Sequence, residues 1–269
     1  MIPFIFGARA ALRVSTAALA FVMASRILHA QLPATATTRL DSLERLPDIA
    51  GTAIYRGSVF PLHGNTTDTL YTYERRVAQD MSMLRVAHIT RTLQRRVIIE
   101  ESAVCAADYA LQRFDAVNAQ AGFVGSAVVS ADGRRVDFRL ERDGRVTTAS
   151  QDIDAPVVAG PTVHGFIRAH WDQLISGSRL KVRMIVMTRT TTYGFDVRAA
   201  PAANGTTTFT VTPSSMLIRL VVAPLRVTFD TARNVVRYEG RVPPMRFGDG
   251  KWHDLDARVD YTMLVPEYR

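Results

Sequence analysis

From Gly51 to Tyr261 apolar side chains recur at every second position, and this period constrains the chain more than any other feature. Val136, Phe138 and Leu140 alternate with Asp137, Arg139 and Glu141. Leu180, Val182, Met184 and Val186 alternate with Lys181 and Arg183, and Leu225, Val227 and Phe229 with Arg226 and Thr228. Tyr71 and Tyr73 show the same phase near the start; Leu255, Ala257, Val259 and Tyr261 show it near the end. Successive side chains of a strand point to opposite faces, so a period of two predicts strands with one buried and one solvated face. Asp132-Gly133, Asp143-Gly144 and Asn204-Gly205 punctuate these runs. Such dipeptides accept the positive φ that tight hairpins require. The first two lie 11 residues apart, the spacing of a β-meander.

One stretch changes period. In residues 161–176, Val163, Phe166, Ile167, Trp171 and Leu174 follow spacings of three and four, with Pro161 near the start and Gly177 after the end. That pattern predicts an amphipathic helix. A second short helix is predicted near 214–222, opened by Pro213-Ser214-Ser215 and stopped before Pro224. The predicted fold class is mainly β (α+β). It is a single curved antiparallel sheet or open β-barrel, with one covering helix near 161–176 and a short helix near 214–222. Residues 51–269 form one β-rich domain in this reading, and residues 31–50 a lead-in with a short helical turn around 40–46.

Residues 1–30 read as a secretory signal peptide. Arg9 and Arg13 precede the uncharged run Val14–Ser25, and the small Ala30 precedes Gln31. Cleavage after Ala24 is the alternative site. A spanning helix needs about 20 consecutive apolar residues, which Arg13 and Arg26 do not leave room for. The expected location is therefore the periplasm, with no transmembrane span in the mature chain. The leader carries three arginines and no acid, so its removal lowers the formal charge from +8 to +5.

Several chemistries lack their residues. Cys105 is the one cysteine, so no intramolecular disulfide can form, and its apolar neighbours Ala103, Val104, Ala106 and Ala107 suit a buried inert thiol. The arginines are interspersed with acids, as in Glu141-Arg142-Asp143, whereas a nucleic-acid surface concentrates them; no nucleic-acid partner is expected. No Gly-x-Ser-x-Gly elbow, phosphate-binding glycine loop or zinc spacing occurs. Asp249-Gly250 with Asp254 and Asp256 does not match a calcium loop and reads as a turn into the final strand. The expectation is no metal, no cofactor and no catalytic residue.

Gly51-Thr52-Ala53-Ile54-Tyr55, Tyr71-Thr72-Tyr73-Glu74, Gly165 to Trp171, Ser214 to Leu220, Leu225 to Asp230 and Tyr238-Glu239-Gly240 together resemble a family of uncharacterised exported β-rich proteins of Gram-negative bacteria. The resemblance covers most of residues 51–262, and its motifs are of the packing kind. More distantly, the layout is similar to the open-barrel carriers that move lipoproteins or lipids through the periplasm, with an apolar cavity under a helical lid. On the predicted helix, the functional reading has Phe166, His170 and Trp171 lining the mouth of a cavity as ligand-binding residues. The structural alternative keeps Trp171 in the core, lets His170 cap or bond backbone, and pairs Arg168 with Asp172 on the surface. The leading expectation is a non-enzymatic periplasmic binding protein for an apolar ligand, a lipid or a lipoprotein acyl chain. A structural or protein-interaction module of the cell envelope is the alternative, and a hydrolase with an unrecognised site the third.

Overall fold

The computed structural model describes residues 51–63, 68–80, 82–201, 205–220 and 222–266. The leader, the turn around 40–46 and Asn204 lie outside the described residues. The N-terminal wing consists of β1 (Thr52–Pro61), β2 (Tyr71–Asp80), β3 (Met83–Arg91), β4 (Val97–Cys105), β5 (Leu111–Asn118), β6 (Phe123–Val129), β7 (Arg135–Arg142) and β8 (Arg145–Asp152). The two-residue β9 (Val157–Val158) follows, then a 3-10 turn (Gly160–Thr162) and two helices, α1 (Val163–Ala169) and α2 (Trp171–Ile175). The second wing is β10 (Leu180–Val186), β11 (Thr191–Ala199), β12 (Thr207–Pro213), helix α3 (Met216–Arg219), β13 (Leu225–Phe229), β14 (Val235–Gly248) and β15 (Lys251–Met263).

All fifteen strands belong to one sheet, in the order β8-β7-β6-β5-β4-β3-β2-β1-β15-β14-β13-β12-β11-β10-β9. Two meanders therefore run outward and back, and β1 and β15 meet at the centre, with Val59 opposite Val259. Among the described residues every strand pairing is antiparallel except β9 with β10. The expected alternation is present: Val136, Phe138 and Leu140 are buried, while Arg135, Asp137, Arg139 and Glu141 are exposed. Asp143 and Gly144 join β7 to β8 with φ of 53° and 73°, and Asp249 and Gly250 join β14 to β15 with φ of 50° and 76°. Two consecutive residues at positive φ are what a two-residue hairpin needs, because that turn matches the right-handed twist of its strands.

The sheet curls but is not closed into a barrel. Its end strand β8 meets β11 through side chains. Gln151 Oε1 accepts from Thr192 N at 2.7 Å, Thr192 Oγ1 at 2.9 Å and Thr191 Oγ1 at 3.1 Å, and its Nε2 donates to Thr192 O at 3.3 Å. Met187 fills the same seam over Gly125, where a Cβ would stand 2.6 Å from the Met187 Cγ and Sδ.

Helices α1 and α2 cover one face of the sheet and bury Val163, Phe166, Ile167, Trp171 and Leu174, the set predicted by spacing. The single predicted helix is divided at His170, whose dihedrals are −105° and 20°. The Phe166 carbonyl there is bonded to both the His170 backbone N–H, at 3.1 Å, and the ring Nδ1, at 2.9 Å. Sharing one acceptor draws His170 out of helical geometry. Trp171 packs edge-on against Phe209 and Phe229, with centroids at 4.9 Å and 5.4 Å. Such aromatic pairs contribute about 0.5–1.5 kcal/mol each beyond area burial.

Candidate functional site

Three polar residues fall where the alternation calls for apolar ones. Arg75 occupies the inward phase of Tyr71, Tyr73 and Val77 on β2. His88 lies between the inward Val86 and Thr90 on β3, and Glu101 between Ile99 and Ala103 on β4. Register places Arg75 opposite His88 and His88 opposite Glu101, so the three form one row across three strands. All are buried, Arg75 completely. Cross-strand neighbours in such a row have Cβ atoms about 5 Å apart.

The row is roofed by the turn that leads into α1. Arg75 Nη1 donates to the Pro161 carbonyl and lies 3.2 Å from His88 Nε2. A guanidinium can only donate, so His88 Nε2 accepts and its proton sits on Nδ1. That N–H points at Tyr73 Oη, its hydrogen-bond partner. His88 is thus neutral beside a cation, which avoids placing two positive charges together in a buried site. The Tyr109 ring lies 6.0 Å from the Arg75 guanidinium carbon. Gly160 borders Glu101: a Cβ there would be 3.4 Å from Oε2.

His164 of α1 follows directly on this turn. Its ring centroid is 6.1 Å from His88, 5.3 Å from Tyr261 and 6.4 Å from Tyr238. The His164 Nδ1 is buried and has no hydrogen-bond partner among the described residues. Burial, and then the charge of Arg75, hold this imidazole down to about 3. Burial pushes the Glu101 carboxyl up to about 7 from an ordinary 4.5. Tyr238 and Tyr261 are pushed up as well, by burial first and then by Asp256 and Glu101 near Tyr238 and by Tyr238 near Tyr261. Tyr238 Oη donates to the Arg241 carbonyl at 2.6 Å.

The cluster therefore holds one permanent cation, a carboxyl that titrates near neutrality, a neutral imidazole with an open nitrogen, and phenols held in their protonated form. These groups can hydrogen-bond a polar or anionic head. The hydroxyls among them are poor nucleophiles, because burial opposes phenolate formation. Among the described residues no group of three His, Cys, Asp or Glu could hold a metal ion.

Phe166, His170 and Trp171 lie on the helices that follow the roofing turn. Phe166 is buried, and His170 is half-buried and stacked on it with centroids 4.2 Å apart. Trp171 is buried against Phe209 and Phe229, and the Arg233 guanidinium covers its face at 5.1 Å. Asp172 meets Arg233 at 3.0 Å. The structure stacks His170 on Phe166 and places Phe166 and Trp171 in one buried apolar cluster with Phe209 and Phe229. Sequence reasoning missed Arg75, His88 and Glu101; the polar intrusion into the apolar phase of β2, β3 and β4 was the available sign. No family model matches the chain, and no curated protein matches it significantly.

Proposed function

We propose that this chain is a non-enzymatic binding protein of the periplasm whose ligand is an amphipathic apolar molecule, a lipid or a lipoprotein acyl chain. The observation that carries the reading is the polar row Arg75–His88–Glu101, set in an otherwise apolar face and roofed by helices on an unclosed sheet. Displacement of the 160–177 segment would uncover Phe209, Phe229, Val182 and Val227 for an acyl tail. Arg75 and the open His164 nitrogen would face its head. The polar contacts to be released include Arg75 with the Pro161 carbonyl and Asp172 with Arg233. Native mass spectrometry of protein purified from its own envelope tests this, with an acyl-lipid adduct expected. Bare protein that also fails to take up a fluorescent fatty acid after delipidation would refute it.

A second reading is a structural or protein-interaction module of the cell envelope. The tight packing of Trp171, Phe209 and Phe229 under the helices favours it, because a filled interior leaves only the outer surface for binding. Its test is in-cell cross-linking, which would recover one reproducible envelope protein.

A further inference from the structure

Helix α3 presents an apolar tip that nothing in the fold uses. Met216, Leu217 and Leu220 are 79 %, 76 % and 82 % exposed, whereas no other large apolar residue among those described exceeds 52 %. The tip is braced from below. Ser214 N donates to Gly194 O at 2.8 Å, Arg219 Nε to Pro213 O at 2.6 Å, and Val222 N to Ile218 O at 2.9 Å. Apolar side chains held out to water on a braced turn are a feature of interaction sites.

The charge around the tip selects the occupant. Between Ser214 and Leu225 the one charged residue is Arg219, with no acid, and the exposed Arg226 follows directly. Glu239 lies opposite Arg226 on β14, and the buried Asp196, paired with Arg179, bonds Ser214 at the base of the tip. The bracing bonds already engage the Arg219 Nε and the Ser214 N–H, so the tip offers little directional bonding to a protein pocket. Its offer is hydrocarbon at the apex and a cation one level below. That order matches the acyl region and anionic headgroups of a lipid surface.

We infer that Met216, Leu217 and Leu220 insert into an anionic lipid surface and dock the protein on it. Three side chains give weak, reversible attachment, since even one myristoyl chain binds only marginally. This site is separate from the row beneath α1, and the inference does not depend on the ligand proposed there.

The test is sedimentation of the purified mature protein with vesicles of phosphatidylethanolamine and phosphatidylglycerol, against vesicles of phosphatidylcholine alone. Binding is expected to the anionic vesicles and to fall with added salt. The double variant Leu217→Asp/Leu220→Asp should lose at least about tenfold in partitioning, since two exposed apolar groups become charged. Its melting temperature should be unchanged because neither side chain packs in the core. Leu217→Trp should show a blue-shifted emission only with anionic vesicles. Absence of sedimentation, equal binding by the double variant, or a water-like Leu217→Trp emission would overturn the inference. A lipid adduct by native mass spectrometry together with failure to sediment would overturn it and leave the carrier reading intact. Sedimentation without an adduct would do the reverse.

Discussion

Replacing Glu101 with Gln should stabilise the protein above neutral pH and have little effect in acid. Glu101 is buried, and its carboxyl titrates at about 7 where an unburied one titrates at 4.5. The folded chain therefore holds a proton that the unfolded chain gives up. Stability from that proton is fully present below 4.5 and is lost as pH rises through 7. The interval between the two values, at about 1.4 kcal/mol per pH unit, amounts to ~3 kcal/mol. For a domain of this size each kcal/mol moves the melting temperature by about 2–4 °C. Gln keeps the shape and the neutral hydrogen-bonding capacity of the protonated acid, so it removes only the ionisation penalty. Urea unfolding of both proteins from about pH 4 to about pH 8.5 gives a difference curve whose shape is independent of any fixed repacking cost. The expected curve climbs between 4.5 and 7 and then levels off. A flat difference, or a variant less stable at high pH than in acid relative to the parent, would refute the argument that burial dominates at this carboxyl.

Gln151→Ala should cost about 1–3 kcal/mol, because it strands the buried Thr192 N–H, while the Thr192 carbonyl keeps its bond from Arg183 Nη2 at 3.0 Å. Hydrogen exchange should then accelerate at Thr192, and an unchanged rate there would show that the seam is held by other contacts. Gly165→Ala should destabilise despite alanine's better helix propensity. The Tyr109 ring occupies the space of the added methyl, so overpacking of about 1–3 kcal/mol outweighs a propensity gain of about 1 kcal/mol. A rise in melting temperature would contradict that packing.

The strands of β7, β13 and β15 were legible because each carries an uninterrupted alternation. The β7–β8 hairpin was legible because Asp143-Gly144 takes a conformation few other dipeptides accept. The covering helix was legible in its buried face but not in its break, since the sharing of the Phe166 carbonyl by His170 depends on where the ring turns. The candidate site was barely legible. Arg75, His88 and Glu101 stand 13 residues apart, and each taken alone reads as a solvated strand residue.

Local chemistry alone thus marked the strands that alternate cleanly, the buried face of each of those, and the two-residue reversals at Asp143-Gly144 and Asp249-Gly250. These are properties of neighbouring residues, set by side-chain direction and backbone sterics. The tertiary structure alone decided that β1 pairs with β15, that the curled sheet meets itself through Gln151 without closing, and that an arginine, two histidines and a carboxyl share one buried space. Strand order and register fix those outcomes. They arise from pairing between residues distant in the chain, where alternation repeated in fifteen strands cannot say which strand lies beside which.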